Sequence, residues 1–421
     1  MSKASPALPE IFFDHMTGNY WIRLESTRFI QLDKSSVKLH LRRAGLSDDN
    51  VLKGIGLGEV ENHIYLTQTK RAVDWSGPLA GHACGLLKAP SGDALLVTSE
   101  ARPVAAKAGK LPALARFFEE LLGNQRDHVF HWLKFAREAL LAGDFRPGQL
   151  LVLAGPSGCG KSLLQALVTE FLGGRSAKPY RYMSGEDKFN GELAGAEHLV
   201  IEDEAASHDI RKRRLFGTKL KEMIVNVELS FNPKGRQAVK LPSFRRLTLS
   251  VNNEPENLMI LPPLDPSILD KVSLLVCDRA ELPTDRKATW SRFMAELPAL
   301  AAFCEKLTVP RELRCPRYGV TAFHNPLLLA ELSDIAPETH LLRVIDDVLF
   351  GAMNKDNAPW KGSAQELELE LRGSDFRFAV ERLAYTPSIV GVYLARLAVK
   401  QPERFRQTRS KGSNKWTITA P

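Results

Sequence analysis

The stretch "QLLVLAGPSGCGKS", residues 149 to 162, constrains this chain more than any other. An apolar run from Leu150 to Ala154 leads into Gly155, Pro156, Ser157, Gly158, Cys159, Gly160, Lys161 and Ser162, and the helical pattern "LLQALVTEFLGG" follows. Strand, glycine-rich turn and helix in this order make a phosphate cradle. The glycines let backbone N–H groups turn inward, and the helix N-terminus adds positive potential. On this reading Gly155 to Ser162 bind ATP, with Lys161 reaching the β- and γ-phosphates and the Ser162 hydroxyl binding Mg2+. A glycine-rich turn without a ligand is the plainer account, and it leaves the flanking strand and helix unexplained.

Such a cradle needs a carboxylate at the end of a neighbouring strand. "HLVIEDEAA" supplies it, with Leu199, Val200 and Ile201 running into Glu202, Asp203 and Glu204. We assign Glu202 to Mg2+ and Asp203 to polarising the attacking water, with Glu204 spare. A third stretch, "LTLSVNNEP", alternates Leu247, Leu249 and Val251 like a strand but ends in two asparagines, which are poor strand residues. A turn explains Asn and Pro by itself. A strand lying between the other two offers a second explanation. Its terminal amide would hydrogen-bond the γ-phosphate or the attacking water without adding charge. Asn252 is expected in that role, with Asn253 serving the turn.

Alternating strands and helices from about residue 148 to 305 predict an α/β fold with a parallel sheet. "LPALARFFEELLGN" and "RDHVFHWLKFAREALLAG" predict helices before it, each closed by glycine. Residues 1–110 read as an α+β accessory domain without recognisable chemistry. "YWIRL", "RFIQL", "HIYLTQT" and "ALLVTSE" are its expected strands, and "SSVKLHLRRAGL" its helix. The second domain is expected over 111–305 and the third over 306–421, where "KLTVPRELRCPRYG" reads as a connector. Ser363 and Glu366 form a capping box that starts a helix. Two more helices and the hairpin "FRQTRSKGSNKWTIT" complete a winged-helix pattern, whose third helix can enter a DNA groove. Winged helices also dock proteins.

The chain carries a formal net charge of +8, and the bases are concentrated. Between Ala205 and Arg246 eleven bases meet three acids, and from Ala384 to Pro421 seven bases meet Glu403 alone. "VELSFNPKGRQAVKLPSF" reads as two strands around a turn, so that Lys234, Arg236 and Lys240 can contact phosphates without reading sequence. Arg404, Arg406, Arg409 and Lys411 are the DNA-contact candidates near the C-terminus. A solvated basic surface is the alternative in both places. Five cysteines without CxxC spacing argue against a disulfide framework and a zinc site. No apolar run is long enough to cross a bilayer, and the first residues lack a secretory h-region, so a reduced, cytoplasmic protein is expected.

The cradle, the acid-ended strand, the basic hairpin and the "NxxP" strand end lie in that order within about 100 residues. Together they resemble superfamily 3 helicases, most closely the helicase half of phage, plasmid and poxvirus primase-helicases, over roughly residues 111 to 305. The resemblance implies an AAA+-like ATPase, usually a homo-hexameric ring, that translocates on single-stranded DNA during replication. It places the family's phosphate-loop pair on Lys161 and Ser162, its acidic pair on Glu202 and Asp203, its sensor asparagine on Asn252 and its pore hairpin on residues 227 to 244. The family usually carries an arginine in the region "SILDKV" that reaches the neighbouring subunit's γ-phosphate. This chain has Lys271 there, which lacks the bidentate fork, so either Lys271 or Arg279 in "VCDRAE" is the expected trans cation. Residues 1 to 110 show no acidic catalytic cluster, so the primase half of many relatives is not expected in them. Two alternatives stand beside a helicase. One is an ATP-switched replication initiator or DNA-loading ATPase, binding duplex origin DNA through the C-terminal domain with little unwinding. The other is an AAA+ remodeller of protein partners, which the two basic concentrations disfavour.

Overall fold

The apolar runs around the cradle pair with one another in a single sheet. Its strands, called β1 to β5 in chain order, are Leu150–Ala154, Ser176–Ala177, His198–Ile201, Arg246–Val251 and Val272–Val276. Their order across the sheet is β5-β1-β4-β3-β2, and every neighbouring pair is parallel. All residues of β1 and β4 are buried, as a parallel sheet covered on both faces requires. Ala154 lies opposite both Val251 and Val276, and Ile201 opposite Leu249. The strands therefore end together at one edge, and the loops that follow them share it.

The computed structural model describes residues 8–25, 28–49, 56–144, 146–202, 209–351, 358–384, 386, 388–410 and 413–421. Asp203, Glu204 and Lys411 lie outside the described residues. The described residues fall into two compact units, the first within 1–204, 218–252 and 270–323, the second within 205–217, 253–269 and 324–421. In the first, helices Pro112–Leu122, Arg126–Leu141, Lys161–Phe171 and Arg286–Lys306 share one apolar core with β1 and β5. Phe117, Phe118, Leu133, Leu164, Leu167 and Phe293 are among its buried members. Gly123 and Gly143 follow the first two helices with φ of 54° and 61°, the left-handed conformation that glycine adopts without steric cost.

Residues 8 to 110 belong to the same unit as this sheet. They form a four-stranded sheet in the spatial order 28–32, 19–25, 11–14, 72–73 and a three-stranded one in the order 75–77, 94–97, 85–88. One expectation fails here, because "HIYLTQT" lies inside helix Glu59–Lys70 rather than in a strand. Val60, Ile64 and Thr67 are buried at spacings of four and three, which is a helical face, and this overrides the strand preference of Ile, Tyr and Thr. Hydrogen bonds join this part to the core: Ala80 N donates to Ala194 O at 2.8 Å, and Phe244 N donates to Ala80 O at 2.9 Å.

The second unit holds helices Pro326–Asp334, Pro337–Phe350, Ala364–Arg372, Arg377–Leu383 and Ile389–Lys400. Strands Phe405–Ser410 and Ser413–Ile418 form an antiparallel hairpin, extended by Trp360–Gly362. Ser363 and Glu366 make the expected capping box: Ser363 N donates to Glu366 Oε2 at 2.6 Å, and Glu366 N to Ser363 Oγ at 3.2 Å. Leu341, Ile345, Leu367, Tyr393, Leu394 and Trp416 lie in its core. Among the described residues no helix is long and apolar enough to cross a membrane.

Candidate functional site

Chain continuity places the cradle at the edge where the strands end. Gly155 follows β1 directly, and a Cβ there would collide with the Cys277 carbonyl oxygen, so only glycine permits this close approach. Its N–H donates to Val251 O at 3.2 Å, while Cys277 N donates to Ala154 O at 2.7 Å and Ala280 N to Cys159 O at 3.2 Å. The loop is thereby held between the ends of β4 and β5. Gly158 and Gly160 take φ of 73° and 122°, and helix Lys161–Phe171 starts after Gly160 with no side chain capping it. Among the described residues no side chain caps this end, and the first-turn N–H groups of a helix point out of it, which is the arrangement an anion uses. Pro156, Ser157, Gly158 and Ser162 are exposed, and Cys159 is buried.

Lys161 is 8% exposed and folded against the loop. Its Nζ donates to Gly155 O at 2.7 Å, Pro156 O at 2.8 Å and Asn252 Oδ1 at 3.2 Å. Of the two asparagines after β4, Asn252 is half-buried beside this lysine and Asn253 is exposed. Glu202 follows β3, two strand spacings or roughly 10 Å across the sheet from β1. Lys178, which no sequence pattern singles out, binds the Glu202 Oε1 at 2.9 Å. The candidate metal residues Ser162 and Glu202 thus lie at one edge of the sheet, and the donor set of a hydroxyl and a carboxylate suits Mg2+.

A buried polar cluster ties these strands together under the cradle helix. Gln165 Nε2 donates to Thr248 Oγ1 at 2.9 Å and to Ile201 O at 3.2 Å. The His198 ring nitrogens lie 2.7 Å from Thr169 Oγ1 and 2.9 Å from Thr248 Oγ1. Complete burial holds the His198 pKa down to about 3, so the ring is neutral. Polar residues inside the apolar runs "HLVI" and "LTLS" were the available signal for this cluster.

The two trans-cation candidates separate. Lys271 precedes β5, at the opposite edge of the sheet and roughly 16 Å from its own cradle by strand rise. It is buried and bonded to Asp270 at 2.7 Å. Arg279 is exposed at the cradle edge, next to Ala280.

The basic hairpin forms, with strands Glu228–Phe231 and Val239–Pro242 in the register Ser230 opposite Lys240. Lys234 and Lys240 are exposed. Arg236 Nη1 lies 3.9 Å from Asp14 Oδ2, and His82 Nε2 lies 2.6 Å from Pro242 O, so residues 8 to 110 brace the hairpin. Three bases counted in the surrounding basic segment are not surface charges. Arg245 is buried with Nε on Met223 O at 2.9 Å, Arg246 with Nη1 on Arg146 O at 2.9 Å, and Arg213 with Nε on Leu261 O at 3.0 Å. Burial pushes the first two down to about 9 and Arg213 to about 10.

In the C-terminal segment Arg404 turns inward, with Nη2 on Asp346 Oδ1 at 2.5 Å and Nε on Thr419 O at 3.2 Å. Lys415 pairs with Glu366 at 2.9 Å, and Lys400 with Glu338 at 3.3 Å. The acids that match these bases come from earlier in the chain, so the local charge count overstated the exposed excess. Arg406 and Arg409 are exposed.

Comparison with known proteins bears on the fold. A family of unknown function, DUF5906, matches residues 153–264. No curated protein matches the chain. The chain is similar to solved structures of the NrS-1 C-terminal region. One apo A form aligns with TM-score 0.58 and 14% identity over 98% of this chain and 97% of that one. A second apo structure, of residues 305–718, aligns with TM-score 0.58 and 13% identity over 98% and 96%. A structure described as the active helicase Cch of SCCmec type IV aligns with TM-score 0.31 and 13% identity over 96% and 76%, too weakly to carry an argument. At these identities the likeness to the NrS-1 region establishes a shared fold, a mixed α/β architecture around a parallel sheet.

Proposed function

We propose that this chain is an ATP-driven DNA helicase or translocase of the superfamily 3 type, acting in replication of a phage, plasmid or integrated mobile element. The observation that carries the reading is the Lys161–Asn252 contact at the sheet edge where the cradle and the acid-bearing strand end together. ATP is the substrate, held by Gly155 to Ser162. Ser162 and Glu202 would hold Mg2+, which supplies charge neutralisation of the phosphates. Lys161 holds the phosphate chain, Asp203 orients the attacking water, and Asn252 senses the reacting phosphate. The reading extends to a homo-hexameric ring on single-stranded DNA, with Lys234 and Lys240 of the hairpin on the strand. Arg279 is the better candidate for the cation that completes a neighbour's site, because it is exposed and Lys271 is not. The second unit supplies a winged-helix-like DNA contact through Arg406 and Arg409.

The test is strand displacement on a tailed duplex, with ATP turnover measured with and without single-stranded DNA. Unwinding that needs hydrolysis, and turnover stimulated by DNA, support the proposal. Turnover that ignores DNA would sink it. The exposure of Arg406 and Arg409 favours one other reading, an ATP-switched initiator on duplex DNA, which stimulated turnover without strand displacement would select.

A further inference from the structure

At the sheet edge opposite the cradle, where β1 and β4 begin, a cavity of about 720 Å³ opens within the first unit. Lys134, Arg146, Arg246, Arg314 and Arg317 line it against one carboxylate, Glu138, which is already bonded to Lys134 at 2.7 Å. The segment "KLTVPRELRCPRYG", to which the sequence assigns no role beyond connecting domains, builds one wall. Its strands Arg314–Cys315 and Gly319–Val320 pair as a short hairpin. Gly319 has φ of 85°, and a Cβ there would strike the Phe135 ring, so glycine lets this hairpin close on helix Arg126–Leu141.

Arg246 is the unusual member. It opens β4 and is only 2% exposed, with Nη1 donating to Arg146 O and Arg245 O and the guanidinium over the Phe244 ring. Among the described residues no carboxylate pairs with it, and both of these hydrogen bonds go to backbone carbonyls. Gly148 makes room for it, since a Cβ there would lie 2.6 Å from the guanidinium Nε. An apolar side chain of similar length would fill the same space without desolvating a charge. The chain instead keeps a cation in the wall of a cavity rimmed by four more.

We propose that this cavity binds a compact polyphosphate anion, a nucleoside polyphosphate or inorganic polyphosphate, at a site separate from the cradle. The volume is that of a small-molecule site, and guanidinium forks match phosphate oxygens in pairs. A nucleic-acid strand would instead need an extended groove. The inference does not rest on the helicase reading.

The test uses the full chain with Lys161→Ala, so that the cradle cation is gone, and titrates tripolyphosphate and ATP separately by calorimetry. One saturable site is expected to remain, and adding Arg314→Ala and Arg317→Ala should weaken it by roughly tenfold or more. Tighter binding of ATP than of tripolyphosphate would identify the nucleoside form, and equal binding the inorganic one. Arg246→Met is expected to keep or raise the melting temperature while losing the upward shift that tripolyphosphate produces. The proposal is overturned if Lys161→Ala leaves no binding, if the Arg314 and Arg317 changes have no effect, or if a single-stranded oligonucleotide displaces the anion one for one.

Discussion

The Lys161 ammonium stands 3.2 Å from the Asn252 side-chain oxygen, although the two residues are 91 positions apart. The same ammonium lies on the carbonyl oxygens of Gly155 and Pro156, so three oxygen acceptors hold it at the mouth of the cradle. Phosphate oxygens would compete for those same N–H donors. Lys161→Ala is therefore expected to reduce ATP hydrolysis to background, measured as phosphate release. Turnover within about tenfold of the parent would exclude this loop as the working site.

Asn252→Ala should separate turnover from affinity. The amide carries no charge and is proposed to act on the reacting phosphate, so kcat should fall by about tenfold to a thousandfold while nucleotide affinity stays within about threefold. Asn253→Ala should behave like the parent, because its side chain is exposed. Steady-state kinetics beside equilibrium nucleotide titration checks both variants.

The hairpin makes a graded prediction. Lys234 and Lys240 are exposed, whereas Arg236 is partly committed to Asp14. Lys234→Ala with Lys240→Ala should weaken single-strand binding alike for every sequence. It should also flatten the log–log salt dependence by about 0.7 for each phosphate that loses its cation. Basal ATPase should persist. Arg236→Ala should have the smaller effect on DNA, and an unchanged salt slope in the lysine double variant would remove the hairpin from the strand path.

Arg404 is expected to matter for stability rather than for DNA. Its removal leaves Asp346 without the guanidinium that now binds it, and should lower unfolding stability by about 1–3 kcal/mol in urea melts. Duplex affinity of the folded protein should hold. Arg406→Ala with Arg409→Ala should do the reverse, and a matching loss of DNA affinity in Arg404→Ala would contradict the inward assignment.

His198 adds a pH dependence. Its folded pKa is held to about 3, against an ordinary value of 6.5, so between those values the unfolded chain binds the extra proton. Stability should therefore fall as the pH drops below about 6.5, by up to about 1.4 kcal/mol per pH unit. Urea melts at several pH values should show a shallower fall in His198→Asn. Equal slopes in parent and variant would mean that the ring can accept a proton in place.

The glycine-rich turn between strand and helix was legible in the sequence because it is local. Eight consecutive residues between a strand pattern and a helix pattern specify the turn, its glycines and its lysine. The parallel sheet was legible as apolar runs, and the middle position expected of the Asn252 strand matches the order β5-β1-β4-β3-β2. The capping box at Ser363 was equally local. What the tertiary structure decided was mostly the fate of charge. Arg213, Arg245, Arg246 and Arg404 look like their exposed neighbours in sequence, yet each is buried or ion-paired, because its acceptor lies on a distant segment. Residues 8 to 110 carry no motif, and their bracing of the hairpin runs through contacts such as His82 to Pro242 that span 160 positions. Periodicity and spacing report what neighbours along the chain impose on one another. Which charges meet water depends on packing between segments that only the folded chain brings together.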